Sequence, residues 1–405
     1  MHLQPPEKQY LYDVVVAGHL CLDIIPAMPD FGTRSISQIL LPGKLINVGD
    51  VAISTGGPVS NTGIALKKLG LKVAFMATVG ADDFGALILK RLRTHGEVAG
   101  IKQISDVSSS YTVAIVPPGI DRIFLHNPGT NDTFTSADIN FELVKQAKVF
   151  HLGYPTLMKS LFETGGAKVI QIFQLARSTG VTTSLDMSLP DVNSPSAQAD
   201  WPQILKQLLS QVDLFLPSIE EAYFLFDKAA YFQTKDRAGD ADLIDFIDPG
   251  LYSKIAQHFL NMGTRIVVLK CAHRGIFIKT GASNDLQKLS AAVPLDLDNW
   301  ANREIWCPAF EVPQIASATG AGDSAIAGFY AAFLRGHSIE KTVKFANCLG
   351  YQNLQALDAV SGIKSWPETL DLVEHQPLKL IELNLKDYGW QWDPQARLWN
   401  KSQTK

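Results

Sequence analysis

One carboxylate stands where a short glycine turn opens into a long apolar run. The stretch Ser317-Ala318-Thr319-Gly320-Ala321-Gly322-Asp323 is followed at once by Ser324-Ala325-Ile326-Ala327-Gly328-Phe329-Tyr330-Ala331-Ala332-Phe333. Two glycines around an alanine permit a tight turn, and the small, apolar residues after it predict a helix buried on nearly all sides. The first turn of a helix leaves amide N–H groups unpaired at the positive end of the helix dipole. The N–H groups of Gly320, Ala321 and Gly322 are therefore expected to form a phosphate-binding hole. Asp323 would repel a resting phosphate, yet it can take the proton of a hydroxyl that attacks one, as a base in phosphoryl transfer must.

The elements that must position this turn follow from the rest of the pattern. Val14-Val15-Val16-Ala17 before Gly18 is a continuous apolar run, as in a strand buried on both faces of a parallel sheet. Ligands bind at the carboxyl ends of such strands, and Asp23 comes just beyond this one. A second glycine turn, Gly56-Gly57, leads into a helix predicted from about Ser60 to Leu69 and stopped by Gly70, with Asn61 on its first turn offering donors and acceptors. Leu71 to Val79 reads as a strand, and strand and helix alternate through Val149–Gly153, Val181–Asp186 and Arg265–Lys270. This order predicts an α/β doubly wound sheet. Residues 31–55 and 105–126 carry strand and turn signals instead. Residues 227–250 are acidic, with Asp236, Asp240, Asp242, Asp245 and Asp248, and read as a surface insertion. The tail 366–405 holds Trp366, Trp390, Trp392 and Trp399, so it is expected to pack on the body or on a partner subunit, which leaves a homodimer open.

The turn 317–323 resembles the second signature of the PfkB, or ribokinase-like, family, D-T-x-G-A-G-D, and Gly56 to Gly70 resembles the first. The resemblance extends over roughly Asp13 to Ile363. It implies a kinase domain over 10–365, a ribokinase-like three-layer, mainly parallel sheet whose small β lid comes from 31–55 and 105–126, and ATP-dependent phosphorylation of a sugar hydroxyl. By that resemblance Asp323 is the general base and Gly320, Ala321 and Gly322 steady the transferring group. Asp23, Gly56, Gly57 and Asn61 hold the sugar, and Asn131, in Gly129-Thr130-Asn131, closes its pocket. Glu221, in Pro217-Ser218-Ile219-Glu220-Glu221, would hold hydrated Mg²⁺, although Ser218 replaces the family's asparagine. Lys270, Gly275, Thr319 and Asn347 fall on the ATP side, with Cys271 in place of the first glycine of a G-x-x-G turn. Val360-Ser361-Gly362-Ile363 resembles a loop that helps bind a monovalent cation in many relatives. Ser317, however, stands where the family has an aspartate, which weakens the case for that cation.

Composition sets limits on other functions. The chain has 405 residues, 46% hydrophobic and 19% charged, enough for one large α/β core. A net charge of −4 without any basic run gives no field for nucleic acid. No leader pattern or apolar stretch of spanning length is present, so a cytoplasmic protein without membrane contact is expected. Cys21, Cys271, Cys307 and Cys348 have no C-x-x-C spacing and read as buried free thiols. Neither an early strand-G-x-G-x-x-G-helix unit nor G-x-x-x-x-G-K-[ST] occurs, which argues against a dehydrogenase and a P-loop enzyme. A nucleoside kinase remains as an alternative, because fold and base serve both acceptors. A catalytically weak ligand-binding or scaffold protein of the same fold is the third reading, favoured by Ser218, Cys271 and Ser317.

Overall fold

The computed structural model describes residues 9–32, 35–120, 123–289, 292–376 and 378–401. In chain order the strands are β1 (Tyr12–Gly18), β2 (Cys21–Pro26), β3 (Val51–Gly56), β4 (Val73–Gly80), β5 (Ile101–Ile104), β6 (Tyr111–Ile115) and β7 (Ile123–Asn127). They continue with β8 (Ala147–Gly153), β9 (Thr182–Asp186), β10 (Leu214–Phe215), β11 (Ile266–Lys270), β12 (Ile276–Thr280), β13 (Glu304–Cys307), β14 (Trp390–Asp393) and β15 (Leu398–Lys401). An 11-stranded sheet runs β14-β15-β13-β12-β11-β10-β9-β8-β1-β4-β5, and a second, 4-stranded sheet runs β3-β2-β6-β7. The large sheet is parallel from β5 to β11 and antiparallel from β11 onward.

Its inner strand β1 is apolar on both faces because both are covered. Val15 and Ala17 point into one core with Phe150, Leu185 and Phe215, while Val14 and Val16 point into the other with Val149, Leu214 and Leu216. Alternate side chains of one strand thus enter opposite layers, the arrangement expected of a doubly wound sheet. The helix Ala321–Phe333 lies in the second layer, and every residue from Asp323 to Phe333 is buried. Its Tyr330 hydroxyl bonds Ser184 on β9 and His151 on β8, which pins the helix to the sheet.

The smaller sheet differs from expectation in its limits. It begins at Cys21, so Asp23 sits within a strand, paired with Ser54 on one side and Thr112 on the other. Of 31–55 only Val51–Gly56 is strand among the described residues, because Pro42 and Gly43 interrupt the stretch before it. The acidic segment 227–250 is not a loose excursion. Asp227 caps a helix, Lys228–Ala238, and Tyr231, Leu243, Ile244 and Ile247 enter the first core, while its aspartates from Asp236 to Asp248 stay exposed. The tail also packs on the body: β15 pairs with β13, and Trp390 and Trp399 are buried against Trp306 and its neighbours. The four cysteines are buried and free. Among the described residues no helix is long and apolar enough to cross a membrane.

Candidate active site

The carboxyl ends of the parallel strands converge on Asp323. β1 ends at Gly18 and is followed by His19; β8 is followed by Tyr154; β9 ends in Asp186; β11 ends in Lys270. Gly320 caps the helix with φ +77°, a left-handed conformation that glycine adopts without steric cost, and Ser317 Oγ steadies the turn by accepting from the Thr319 N–H at 3.1 Å. The Gly320 and Gly322 amides donate to no protein acceptor among the described residues. Ala321 departs from expectation: its N–H donates to the Ala318 carbonyl at 3.3 Å, since the turn closes on itself before the helix begins. Residues 317–322 are partly or fully exposed, whereas Asp323 behind them is 1% exposed. The turn is open and the carboxylate recessed.

Asp323 is held by three side chains. Asn61 Nδ2 donates to Oδ2 at 2.9 Å, Thr62 Oγ1 to Oδ1 at 3.4 Å, and Tyr154 Oη lies 3.1 Å from both oxygens. Burial pushes the carboxyl above its usual range, opposed by these hydrogen bonds and by Lys270. Burial likewise raises the Tyr154 phenol, and the neighbouring carboxylates add to it, so Tyr154 is a donor. Tyr154 has φ +63°, unusual for a residue with a bulky side chain, and such backbone strain is characteristic of functional sites.

Behind the turn lies a buried ionic group. Lys270 Nζ contacts Asp186 Oδ1 at 2.5 Å, and a side chain at Gly322 would touch the Lys270 stem. Burial disfavours the ammonium, but Asp186, Glu221 and Asp323 outweigh it and keep Lys270 charged. Asp186 Oδ2 is buried without a partner. Glu221 is the third residue of a capping box: its Oε2 accepts from the Ser218 N–H at 2.7 Å, and Ser218 Oγ accepts from the Glu221 N–H at 3.2 Å. Serine in place of asparagine thus forms a good cap for the helix Ile219–Phe226. Among the described residues no three His, Cys, Asp or Glu side chains are grouped to hold a metal ion directly. These carboxylates therefore suit a hydrated cation that arrives with its phosphates better than a bare one.

On the other side of Asp323 the small sheet supplies a polar wall. Asp23 adjoins Gly56, with Cys21 Sγ 3.4 Å from its Oδ1, and burial raises its carboxyl to about 6. His19 Nε2 and His126 Nε2 are 3.4 Å apart, and His126 Nδ1 is 2.9 Å from Thr112 Oγ1. Burial, with His126 adding to it, lowers His19 to about 3, so its ring is neutral. His19 Nδ1 and Asn61 Oδ1 are both buried without partners, as polar atoms awaiting a hydroxylated ligand would be. Gly57 caps the helix Pro58–Lys68 and brings Asn61 to Asp323.

Three expected contact residues serve the framework here. Both ends of the Asn131 amide bond Leu20, accepting from its N–H at 3.3 Å and donating to its carbonyl at 3.1 Å, so Asn131 fixes the β1–β2 connection rather than facing the pocket. Asn347 Nδ2 donates to the Cys307 and Pro308 carbonyls at 3.0 and 3.1 Å and ties down the end of β13. Gly275 has φ +91° and packs on the backbone of Cys307 and Ala309, which accounts for the glycine without a nucleotide. Cys271 is buried, with its N–H on the Gly275 carbonyl at 2.8 Å. His273 and Arg274 bond Asp245 and the Ile247 carbonyl in the acidic segment. Lys68 Nζ donates to the carbonyls of Val360 at 2.7 Å and Ser361 at 3.2 Å, placing a fixed cation on the loop beside Gly320.

Sequence reasoning singled out Asp323, Asn61, Asp23 and Lys270 but not Tyr154, Thr62, His19 or His126. Thr62 lies inside the first glycine pattern, next to Asn61, and was passed over, whereas Tyr154, His19 and His126 lie outside both. Only the sequence position of His19 and Tyr154, just past Gly18 and Gly153 at strand ends, could have pointed to them.

Comparison with known proteins agrees with this geometry. Fructokinase-1 of Zea mays is 24% identical over 373 residues, spanning 89% of this chain and 97% of that protein. Fructokinase-2 of Solanum lycopersicum is 28% identical over 215 residues, 52% of this chain, and the match spans only 61% of that protein's length. The structure of Arabidopsis thaliana ribokinase complexed with ribose and ATP superimposes with a TM-score of 0.65 at 18% identity, covering 90% of this chain and 99% of that one. The fructokinase of Xylella fastidiosa with bound ATP gives 0.65 at 18% identity, covering 90% and 98%. The fold is thus that of ribokinase. The profile of the pfkB family carbohydrate kinases matches residues 12–366, and the chain belongs to that family.

Proposed function

We propose that the protein transfers the γ-phosphoryl group of ATP to a hydroxyl of a sugar or sugar-like substrate. The observation that carries this reading is the recessed Asp323 carboxylate directly behind a turn whose Gly320 and Gly322 amides donate to no acceptor among the described residues. An alcohol reaching Asp323 from the small sheet would meet a phosphate seated on the turn, and its proton would pass to the carboxylate as the new bond forms. The open amides would take up charge developing on the transferring group. Lys270, held charged by its carboxylate neighbours, stands beside Gly322 to add a positive field there. Mg²⁺, when it arrives with ATP, supplies charge neutralisation on the phosphates, and Glu221 would hold its water shell. A monovalent cation is left out of this scheme, because Lys68 already occupies the Val360 and Ser361 carbonyls. On the acceptor side Asp23, Asn61, His19 and His126 offer donors and acceptors to a polyol. The four strands β3-β2-β6-β7 would act as the lid that excludes water from the pocket.

The family membership, with fructokinase relatives and a ribose-bound ribokinase of the same fold, supports a sugar as the acceptor. A panel of pentoses, hexoses, aldonic-acid derivatives and nucleosides with MgATP, read by ADP release, tests it. Turnover with a sugar is expected. Turnover with nucleosides alone would move the assignment to a nucleoside kinase, and binding of several compounds without ADP release would leave a ligand-binding protein. Asp323→Asn should lower kcat by about 10²–10⁴-fold, the usual range for loss of a general base, with a much smaller effect on ligand affinity.

A further inference from the structure

Asp323 has a companion that phosphoryl transfer does not require. The Tyr154 hydroxyl lies 3.1 Å from Oδ1 and 3.1 Å from Oδ2, where an alcohol must sit to give up its proton to this base. Asn61 and Thr62 approach the same two oxygens from the helix Pro58–Lys68, so the carboxylate is enclosed by protein donors. We propose that Tyr154 caps the catalytic base: with no acceptor bound, its hydroxyl fills the acceptor position and keeps water away, and the substrate alcohol displaces it.

The proposal rests on Asp323 being the base, and the reaction it prevents is definite. A water molecule on Asp323 could attack the γ-phosphorus of bound ATP. Its proton would pass to the carboxylate, the bond from the γ-phosphorus to the bridging oxygen would break, and ADP and phosphate would leave. Any kinase that activates an alcohol faces this side reaction, because water is smaller than its substrate and always present. A phenol already bonded to both oxygens closes the position. Its bonds are nevertheless longer than the roughly 2.5–2.7 Å of a strong hydroxyl-to-carboxylate hydrogen bond, so a well-placed alcohol can replace it.

Two further features fit a movable cap. Tyr154 sits at φ +63° between Gly153, the last residue of β8, and Pro155, so its backbone is held in a sparsely populated conformation. Its ring faces His19, 6.3 Å away between centroids, and His19 Nδ1 and Asn61 Oδ1 next to it are buried polar atoms without partners. A displaced hydroxyl and an incoming polyol would therefore both find hydrogen-bonding groups at this point.

The test compares acceptor-independent phosphate release from MgATP by the wild type, Tyr154→Phe, Tyr154→Leu, Asp323→Asn and the double variant Tyr154→Phe/Asp323→Asn. Melting curves of each variant confirm that it is folded, and Tyr154→Leu stands in if Tyr154→Phe is not. The cap predicts that hydrolysis rises about tenfold or more in the Tyr154 variants and that Asp323→Asn abolishes the rise. Once a sugar acceptor is known, Tyr154→Phe should lower its KM more than it changes kcat. It should also move the acid limb of the pH–rate profile upward, because the base loses a hydrogen bond to its ionised form. Unchanged hydrolysis in a folded Tyr154 variant would overturn the cap, and so would a wild-type protein that gains one phosphate on Tyr154, which would make the residue an acceptor. If Asp323→Asn leaves sugar phosphorylation intact, the base assignment itself fails. If it abolishes turnover while Tyr154→Phe hydrolyses ATP no faster than wild type, only the cap fails.

Discussion

Asp23 carries a cost that its surroundings make measurable. Its carboxyl titrates near 6 in the folded protein against an ordinary value of 3.8, chiefly because it is buried. The folded state therefore holds this proton more tightly than the unfolded chain. The stability associated with it is present below about pH 4 and lost as pH rises through 6. In the proposed function this ionised, half-buried carboxylate accepts hydrogen bonds from substrate hydroxyls. Asp23→Asn is expected to raise stability at pH 7 by about 1–3 kcal/mol in chemical denaturation, with the gain vanishing near pH 4, and to weaken sugar binding. For Asp323 the raised carboxyl predicts an acid limb in kcat/KM above the usual carboxylate range, lost in Asp323→Asn and measured by ADP release across pH. Asp323 and Asn61 were legible in the sequence because each follows a glycine turn whose geometry allows few readings. Tyr154 and the His19–His126 pair were not, because their partners come from elements distant in the chain and none of the three lies in a glycine turn. Asn131 was expected from pattern at the sugar pocket and Asn347 on the ATP side, and their amides satisfy backbone groups that would otherwise be buried unpaired.

At the level of elements, the helix Ala321–Phe333 does two jobs: it presents the glycine turn with Asp323 behind it and it fills the second core. The small residues that make its sequence distinctive serve close packing as well. A side chain at Gly328 would collide with the Phe345 carbonyl and Leu349 on the helix Ile339–Asn353. Gly328→Ala should therefore destabilise the fold by about 1–3 kcal/mol in denaturant unfolding and lower activity through displacement of Asp323. The buried strands β1, β4, β8, β9 and β11 were readable within a residue or two, since most of them, being covered on both faces, are near-continuous apolar runs, and β9, Thr-Thr-Ser-Leu-Asp, is placed by the alternation of strand and helix around it. The small sheet was harder to delimit. One of its faces is not in the core, and β2 is so short a step beyond β1 that its residues read as a loop. Helix Lys228–Ala238 was hidden because it lies in a segment whose later aspartates suggest a solvated loop, and because only Tyr231, Thr234 and Ala238 of its own residues are buried.

Across the whole molecule the large sheet joins two architectures, a parallel half from β5 to β11 that ends in the candidate site and an antiparallel half from β11 to β14. The tail completes the second. Trp366 stacks on Phe345 with centroids 4.6 Å apart and lies under the Arg335 guanidinium, while Trp390 and Trp399 cover the face of β13. Removing residues from Gly389 onward would strip β13 of its neighbour and uncover Trp306. Loss of the two buried tryptophans alone should cost about 3–5 kcal/mol each, seen as a sharp fall in melting temperature, and light scattering should detect association through the bared strand edge. β13 is made early and its partner β15 late, with most of a hundred residues between them. During synthesis on the ribosome, a nascent chain would thus already contain the entire glycine turn and Asp323 while the rim of its sheet still lay open. Stalled or prematurely stopped translation in that interval would yield a chemically equipped but adhesive intermediate, a natural client for chaperones.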